Sequence, residues 1–210
     1  MVTAAFLSKQ DILTQTHQLF AKHGIQNLTI EDISKKTSIP VSEIQRNFTS
    51  KDELVEESLH SIFTTIKREN EFIKDFYMNP LDKLVYSAYN LISQLFKFGS
   101  NFFFDLRQYF PEVFREYQEF VEQHIFAEQE ELIQQSKNKG LIESSIKSSF
   151  IFELFSKMIN ALLFQHVSSK QNFVELFYHA VIVKIRNFLT SRGVDIIRKN
   201  KISYLVGAKV

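Results

Sequence analysis

Apolar residues recur at helical spacing from Ile12 onward. Ile12, Leu13, the methyl of Thr16, Leu19 and Phe20 fall on one stripe of a first helix. Ser8, followed three residues later by Asp11, predicts its N-cap, and Gly24 after Lys22 and His23 predicts its C-cap. Thr29 and Asp32 repeat the N-cap signal, and Leu28 and Ile33 stand at the spacing of a hydrophobic staple around it. The second helix is therefore short, about Ile30 to Lys36. Thr37 to Ile39 predict a tight turn, and Pro40 suits the start of a third helix, where its missing N–H is no loss. Ile44 and Phe48, four apart, both face inward on that helix. Ser50 and Glu53 predict a capping box opening a fourth helix. It runs to about Phe76, with Leu54, Leu59, Ile62, Phe63, Ile66 and Ile73 inward.

The later pattern is also helical. Asn79-Pro80 opens a helix that ends at Gly99, and a short aromatic piece, Phe102 to Phe110, stops before Pro111. A long helix follows from about Pro111 to Lys137, closed by Gly140. Ser144 or Ser145 opens the next, which ends near Ser168. Asn172 caps the last, which runs to about Ser191 before Gly193. From Val194 the chain carries Arg198, Lys199, Lys201 and Lys209 against Asp195 and reads as a frayed basic tail. Ile202, Tyr204, Leu205 and Val206 offer a way for it to dock instead. With no strand-like alternation, the expected fold class is all-α. The expected domains are a small helical head at 1–50, a larger helical body at 51–193 and the tail at 194–210.

Composition narrows the chemistry. The 210 residues hold only 5 Gly and 3 Pro, and 22 Phe with no Trp, so Phe fills much of the core. The formal net charge is +1, and any nucleic-acid charge must be local. Residues 1–51 carry six basic side chains against four acidic ones. No cysteine is present, which excludes disulfides, thiolate metal sites and a cysteine nucleophile. His17, His23, His60, His124, His166 and His179 never stand four apart, and no G-x-S-x-G, Gly-rich phosphate loop or H-E-x-x-H occurs. Glu128, Glu130 and Glu131 read as a solvated helical run. Neither a metal nor a cofactor is expected, nor an enzyme. The N-terminal apolar run is too short for a signal peptide, and no uncharged run approaches the roughly 18 residues of a membrane span. A cytoplasmic protein is expected.

The informative segment is Thr29 to Leu54. Two short helices and the start of a third are too small to enclose a substrate, but suit a helix laid into a DNA groove. With Ile44 and Phe48 buried, Val41, Ser42, Glu43, Gln45 and Arg46 form the outer face of the third helix. Arg pairs with guanine, Gln with adenine, Glu accepts from the cytosine amine, and Val meets a thymine methyl. Thr29, Lys51 and the exposed N–H groups opening helix four would hold phosphates.

Leu19-Phe20, Gly24, Thr29-Ile30, Ile33, Phe48, Ser50-Lys51 and Leu54 resemble the DNA-binding domain of the TetR family of one-component transcription regulators. Three positions depart from that pattern. Gln45 stands where the family usually has Tyr, Ser38 where it has the turn glycine, and Glu43 where a neutral Thr is common. The resemblance implies a regulator, in the first place a repressor, that binds a palindromic operator as a homodimer and is released by a small effector.

It also implies that the last two long helices form the dimer interface. Phe152, Phe155, Ile159, Leu162 and Leu163 make one apolar side of the penultimate helix. Phe173, Leu176, Phe177, Ala180, Val181, Val183, Ile185 and Phe188 make the last helix apolar over more than one stripe, which needs cover on two sides. The middle helices would hold the effector, a lipophilic or aromatic one given the Phe excess. Candidate lining residues are Phe63, Tyr86, Tyr89, Phe103, Arg107, Tyr117, Phe120 and Phe155, with Phe72, Phe96, Phe104, Phe110 and Phe164 beside them. The reading face leaves one alternative open, a dimeric ligand-binding or protein-interaction module that has lost specific DNA binding.

Overall fold

The computed structural model describes residues 7–77, 79–163, 175 and 177–206. Phe164, Ser168, Asn172, Phe173 and Leu176 lie outside these, as do the side chains of Leu162, Leu163, Ala180, Ile202, Tyr204, Leu205 and Val206. The described chain is helical, with one isolated antiparallel bridge between Ile142 and Leu189. The helices are α1 (Lys9–His23), α2 (Ile30–Thr37), α3 (Val41–Asn47), α4 (Lys51–Phe76), α5 (Pro80–Tyr109), α6 (Pro111–Phe120), α7 (Ala127–Asn138), α8 (Ser148–Leu163) and α9 (Ser191–Val206). Val121–Phe126 and Tyr178–Ile182 are π-wound, and Arg186–Phe188 is a 3-10 turn. Among the described residues no helix is long and apolar enough to cross a membrane.

The chain forms two compact units. The first comprises Met1–Thr65 and Gln94–Gln118, the second Ile66–Ser93 and Glu119–Val210. In the first, Ile12, Phe20, Ile33, Ile44, Phe48, Leu54 and Leu59 are buried together with Phe102, Phe103 and Leu106 of α5. Phe20 stacks on Phe102 with ring centroids 5.9 Å apart. Gly99 does not end a helix, as its sequence context suggests. It kinks α5, with φ 70°, and helical winding resumes beyond it. A Cβ there would stand 2.9 Å from the Ala21 carbonyl oxygen, so the kink depends on glycine twice over.

In the second unit Leu81, Leu84, Val85, Leu91, Ile92, Ile151, Phe155, Phe177 and Val181 are buried. A polar chain runs among them. The Asn90 amide donates to the Ile66 carbonyl (3.1 Å) and to Asn70 Oδ1 (2.8 Å), and Asn70 Nδ2 donates to Glu128 Oε2 (2.9 Å). Glu128 thus reaches a buried amide rather than belonging only to a solvated run.

Two further sequence expectations are corrected in this unit. Helix α8 opens at Ser148, after a turn, and not at Ser144 or Ser145. The segment from Val194 is not a frayed tail but the body of α9, where Ile197 is buried and Asn200 Nδ2 donates to both Asp82 carboxylate oxygens at 2.9 and 3.0 Å. Gly193 lies inside the first turn of α9 rather than beyond a helix end. Its N–H donates to Thr190 Oγ1 at 3.2 Å, and its α-carbon packs against the Leu141 carbonyl. Thr190 N also donates to the Leu141 carbonyl at 3.1 Å, and Glu143 N to that of Phe188 at 2.8 Å. A Cβ at Gly193 would collide with the Leu141 oxygen, which is backbone and cannot swing away. Gly193→Ala is therefore expected to destabilise the fold by about 1–3 kcal/mol, the range of overpacking. In a urea titration Gly140→Ala, which meets no neighbour, should lose less, about 1 kcal/mol for its left-handed backbone alone.

Candidate functional site

The first three helices are built by local chemistry. Ser8 and Thr29 each form the reciprocal box that the sequence signals. Thr29 Oγ1 accepts from Asp32 N at 3.1 Å, and Asp32 Oδ2 accepts from Thr29 N at 3.0 Å. These hydrogen bonds hold the Asp32 and Asp11 carboxyls below the usual Asp range. Leu28 and Ile33, the staple pair, are both buried. At helix α4 the box is shifted. Ser50 Oγ accepts from Glu53 N at 3.1 Å, but the Glu53 carboxylate turns to Thr49, whose N–H and hydroxyl both donate to it at 2.6 Å.

The turn between α2 and α3 rests on Ser38, which adopts the left-handed conformation, φ 61° and ψ 18°. Pro40 is the N-cap of α3, extended at φ −56° and ψ 141°, one position before the first helical residue. Ile39, Ile44 and Phe48 are buried under the helix. Its outer face is as expected from the periodicity: Ser42, Gln45 and Arg46 are exposed, with Val41 and Glu43 half-buried.

The polar groups of this face are partly engaged. Arg46 Nη1 lies 3.1 Å from Glu43 Oε2 and 3.3 Å from Oε1. Thr29 is exposed, but its hydroxyl donates to Asp32 Oδ2 at 2.9 Å. Lys51 Nζ donates to the Gln26 carbonyl at 3.3 Å. Burial lowers the Lys51 pKa, with Asp52 and Asp105 acting in the opposite sense.

Sequence reasoning missed one residue that positions this head. Asp105 of α5 accepts from the Ile25 and Gln26 N–H groups at 2.6 and 2.9 Å. Gly24, at φ 74°, admits it, because a Cβ there would collide with Asp105 Oδ2. The signal available was slight: an acidic residue flanking the apolar run Phe102, Phe103 and Leu106.

Residues 12–58 match the family model described as bacterial regulatory proteins, tetR family. Over that segment the chain is similar to the tetR family. No curated protein matches it by sequence. Solved TetR-type structures share its fold at low identity. A TetR-family transcriptional regulator from Marinobacter aquaeolei is 16% identical, with TM-score 0.69, over 94% of this chain and 98% of that one. The ketosteroid transcriptional regulator KstR2 of Mycobacterium tuberculosis is 14% identical, with TM-score 0.67, over 91% and 100%. A putative transcriptional regulator from Saccharomonospora viridis, solved in complex with choline, is 15% identical, with TM-score 0.65, over 87% and 97%.

The effector candidates divide between the two units. Phe63, Phe103, Arg107 and Tyr117 belong to the first, and Tyr86, Tyr89, Phe120 and Phe155 to the second. In the first, Phe103 and Tyr117 are buried with ring centroids 5.3 Å apart, Phe63 is half-buried and Arg107 is exposed. Burial pushes the Tyr117 phenol well above its usual range. In the second, Tyr86 stacks on Tyr77 at 4.0 Å and Tyr89 meets Phe177 edge-on at 5.1 Å. Phe120 and Phe155 are buried. Of the flanking candidates, Phe96 and Phe110 are half-buried, and Phe72 and Phe104 are exposed.

Two outcomes are expected for the head. Ser38→Val should cost about 1–2 kcal/mol, since a β-branched side chain crowds the left-handed region, while Ser38→Gly should cost nothing. Thermal melts of the two variants measure the contrast. His17 of α1 packs against Phe98 with centroids 4.3 Å apart and lies 3.3 Å from Ser61 Oγ. Burial pulls its pKa from 6.5 to about 4. The folded chain therefore refuses a proton that the unfolded chain takes. The neutral imidazole's contribution is complete above pH 6.5 and is lost as pH falls towards 4, by at most about 3 kcal/mol. Stability measured across that window should fall less steeply in His17→Gln.

Proposed function

We propose that this TetR-type regulator acts as a repressor that binds a palindromic operator as a homodimer and releases it on binding a lipophilic or aromatic effector. The observation that carries the reading is the seating of α3. Ile44 and Phe48 anchor it, and Ser42, Gln45 and Arg46 are left outward on one face. In this reading residues 1–50 read the duplex, 51–193 bind the effector and the second subunit, and the basic segment 194–210 has no assigned part. Arg46 and Gln45 contact base edges. Thr29, Lys51 and the N–H groups opening α4 meet phosphates. The first-turn N–H groups of α4 suit that role better than the Thr29 hydroxyl, which is already donating to Asp32.

Dimerisation is supported by apolar groups left uncovered on the last helices. Phe150 is 55% exposed and Val183 38% exposed in the single chain, beside the buried Ile151, Phe155, Val181 and Ile185. Two subunits place two reading helices on half-sites roughly 34–36 Å apart, and an effector acts by changing that spacing. The aromatic interior supports an apolar effector. A second reading rests on the Glu43–Arg46 pair and the turn of Lys51 towards Gln26, which take up two of the head's six cations. In it the chain is a dimeric ligand-binding or protein-interaction module without specific DNA binding.

Selection from a random duplex library, followed by fluorescence anisotropy across a salt series, separates the two. A palindromic consensus is expected, with Arg46→Ala weakening it by about 1–3 kcal/mol, the range of a bidentate base contact. Enrichment of no sequence, or an affinity and salt slope that Arg46→Ala leaves unchanged, would select the second reading. Sedimentation at micromolar concentration should give a dimer, and a monomer would refute both.

A further inference from the structure

We propose that Glu56, His60 and Glu116 form a binding site for a divalent transition-metal ion of the zinc class. Glu56 and His60 stand four apart on α4, which puts both on one face of the helix one turn apart. Glu116 comes from α6, within the same compact unit. One donor atom from each lies within 4.8 Å of the other two. His60 Nε2 and Glu116 Oε2 are 2.8 Å apart. Bonds of about 2.0–2.2 Å to a tetrahedral ion set its donors roughly 3.3–3.6 Å from one another. The imidazole and Glu116 therefore need only part slightly, and Glu56 close slightly, for an ion to take the place of the hydrogen now shared. All three residues are half-buried, so the site is open to water on one side and fixed to helices on the other.

The charges around the site favour a cation. Among the described residues no lysine or arginine ion-pairs with Glu56 or Glu116. The nearby cations are committed to other acids: Lys9 to Glu57 at 2.7 Å and to Glu53 at 3.8 Å, and Arg115 to Glu112 at 2.5 Å. Two carboxylates are thus offset by His60 alone, and only when it is protonated. The imidazole decides the class of ion. Magnesium and calcium take all-oxygen sets, whereas one imidazole nitrogen with two carboxylate oxygens suits zinc, cobalt or nickel. Three protein donors leave the fourth position to water. A bound ion ties α4 to α6 inside the first unit.

The site does not depend on the operator reading, and its test uses no DNA. Full-length protein is titrated with Zn2+ by calorimetry and with Co2+ by visible absorption, beside His60→Ala, Glu116→Gln and Glu56→Gln. Wild type should bind one ion per chain, raise its melting temperature with Zn2+ and show a low-symmetry Co2+ spectrum. Each variant should lose at least about tenfold in affinity, since even groups that merely support a ligand contribute that much. Metal-free circular dichroism and melting temperature identify any variant that fails to fold, and the remaining ones then carry the test. An absence of binding to wild type, or equal affinity in wild type and every folded variant, would overturn the site.

Discussion

The reading head depends on a carboxylate that lies eighty residues away from it in sequence. Gly24 ends α1 with a positive φ, and the two N–H groups that follow, on Ile25 and Gln26, have no helix to bond into. Ile25 is buried, and a buried backbone donor costs about 1–3 kcal/mol when left unpaired. Asp105 satisfies both with charge-assisted hydrogen bonds, the stronger class. Lys51 adds its ammonium to the Gln26 carbonyl on the far side of the same turn. The loop that launches α2 is therefore clamped between α5 and the first residue of α4. Any displacement of the Gly99–Tyr109 arm of α5 is felt at the start of α2 through two backbone bonds and one glycine contact.

From that clamp the orientation of α3 follows with little further freedom. Thr29 and Asp32 fix where α2 begins, and the Leu28–Ile33 pair sets the angle at which the chain enters it. Ser38 reverses the chain in a conformation that only a few residue types tolerate. Pro40 then supplies a rigid entry to a helix of seven residues. So short a helix has little stability of its own, and it is held by Ile39, Ile44 and Phe48. The division of labour is sharp: Ile44 within the helix and Phe48 at its C-cap anchor it, and Ser42, Gln45 and Arg46 are exposed.

The features legible in the sequence are the local ones. The Ser8 and Thr29 caps, the staple, the turn and the inward pair Ile44 and Phe48 are set by residues within four positions of each other, and they appear where the pattern places them. Interactions closed over distance do not announce themselves. Asp105 meets Ile25, Asn200 meets Asp82, and Gly193 meets Leu141. From sequence these read as an acid beside an apolar run, a frayed tail and a helix end. Glu56 and His60 have helical ligand spacing, but a criterion that seeks two histidines passes over them, and Glu116 lies far along the chain. The aromatic residues show the same limit. Phe72 and Phe104 are exposed while Phe103 is buried, because periodicity fixes a residue's face but not whether anything covers it.

The Glu43–Arg46 pair raises the sharpest question about the head, and magnitudes decide it. A side-chain ion pair at this helical spacing is worth about 0.2–0.5 kcal/mol. A bidentate arginine contact to guanine discriminates by about 1–3 kcal/mol. The guanidinium can therefore leave Glu43 for a base edge at small cost, and the pair is no obstacle to reading. Glu43 is the more constrained partner, with only 14% of its side chain exposed. Once Arg46 departs, its carboxylate must find a cytosine amine or stand uncompensated near phosphates. Under the proposed operator reading, the pair would act as a filter. It hardly weakens binding to a duplex that offers both groups, and it penalises one that offers only the guanine. Under the same proposed reading Glu43, one of the three departures from the family pattern, would contribute to which sequence is read rather than to whether DNA is bound at all.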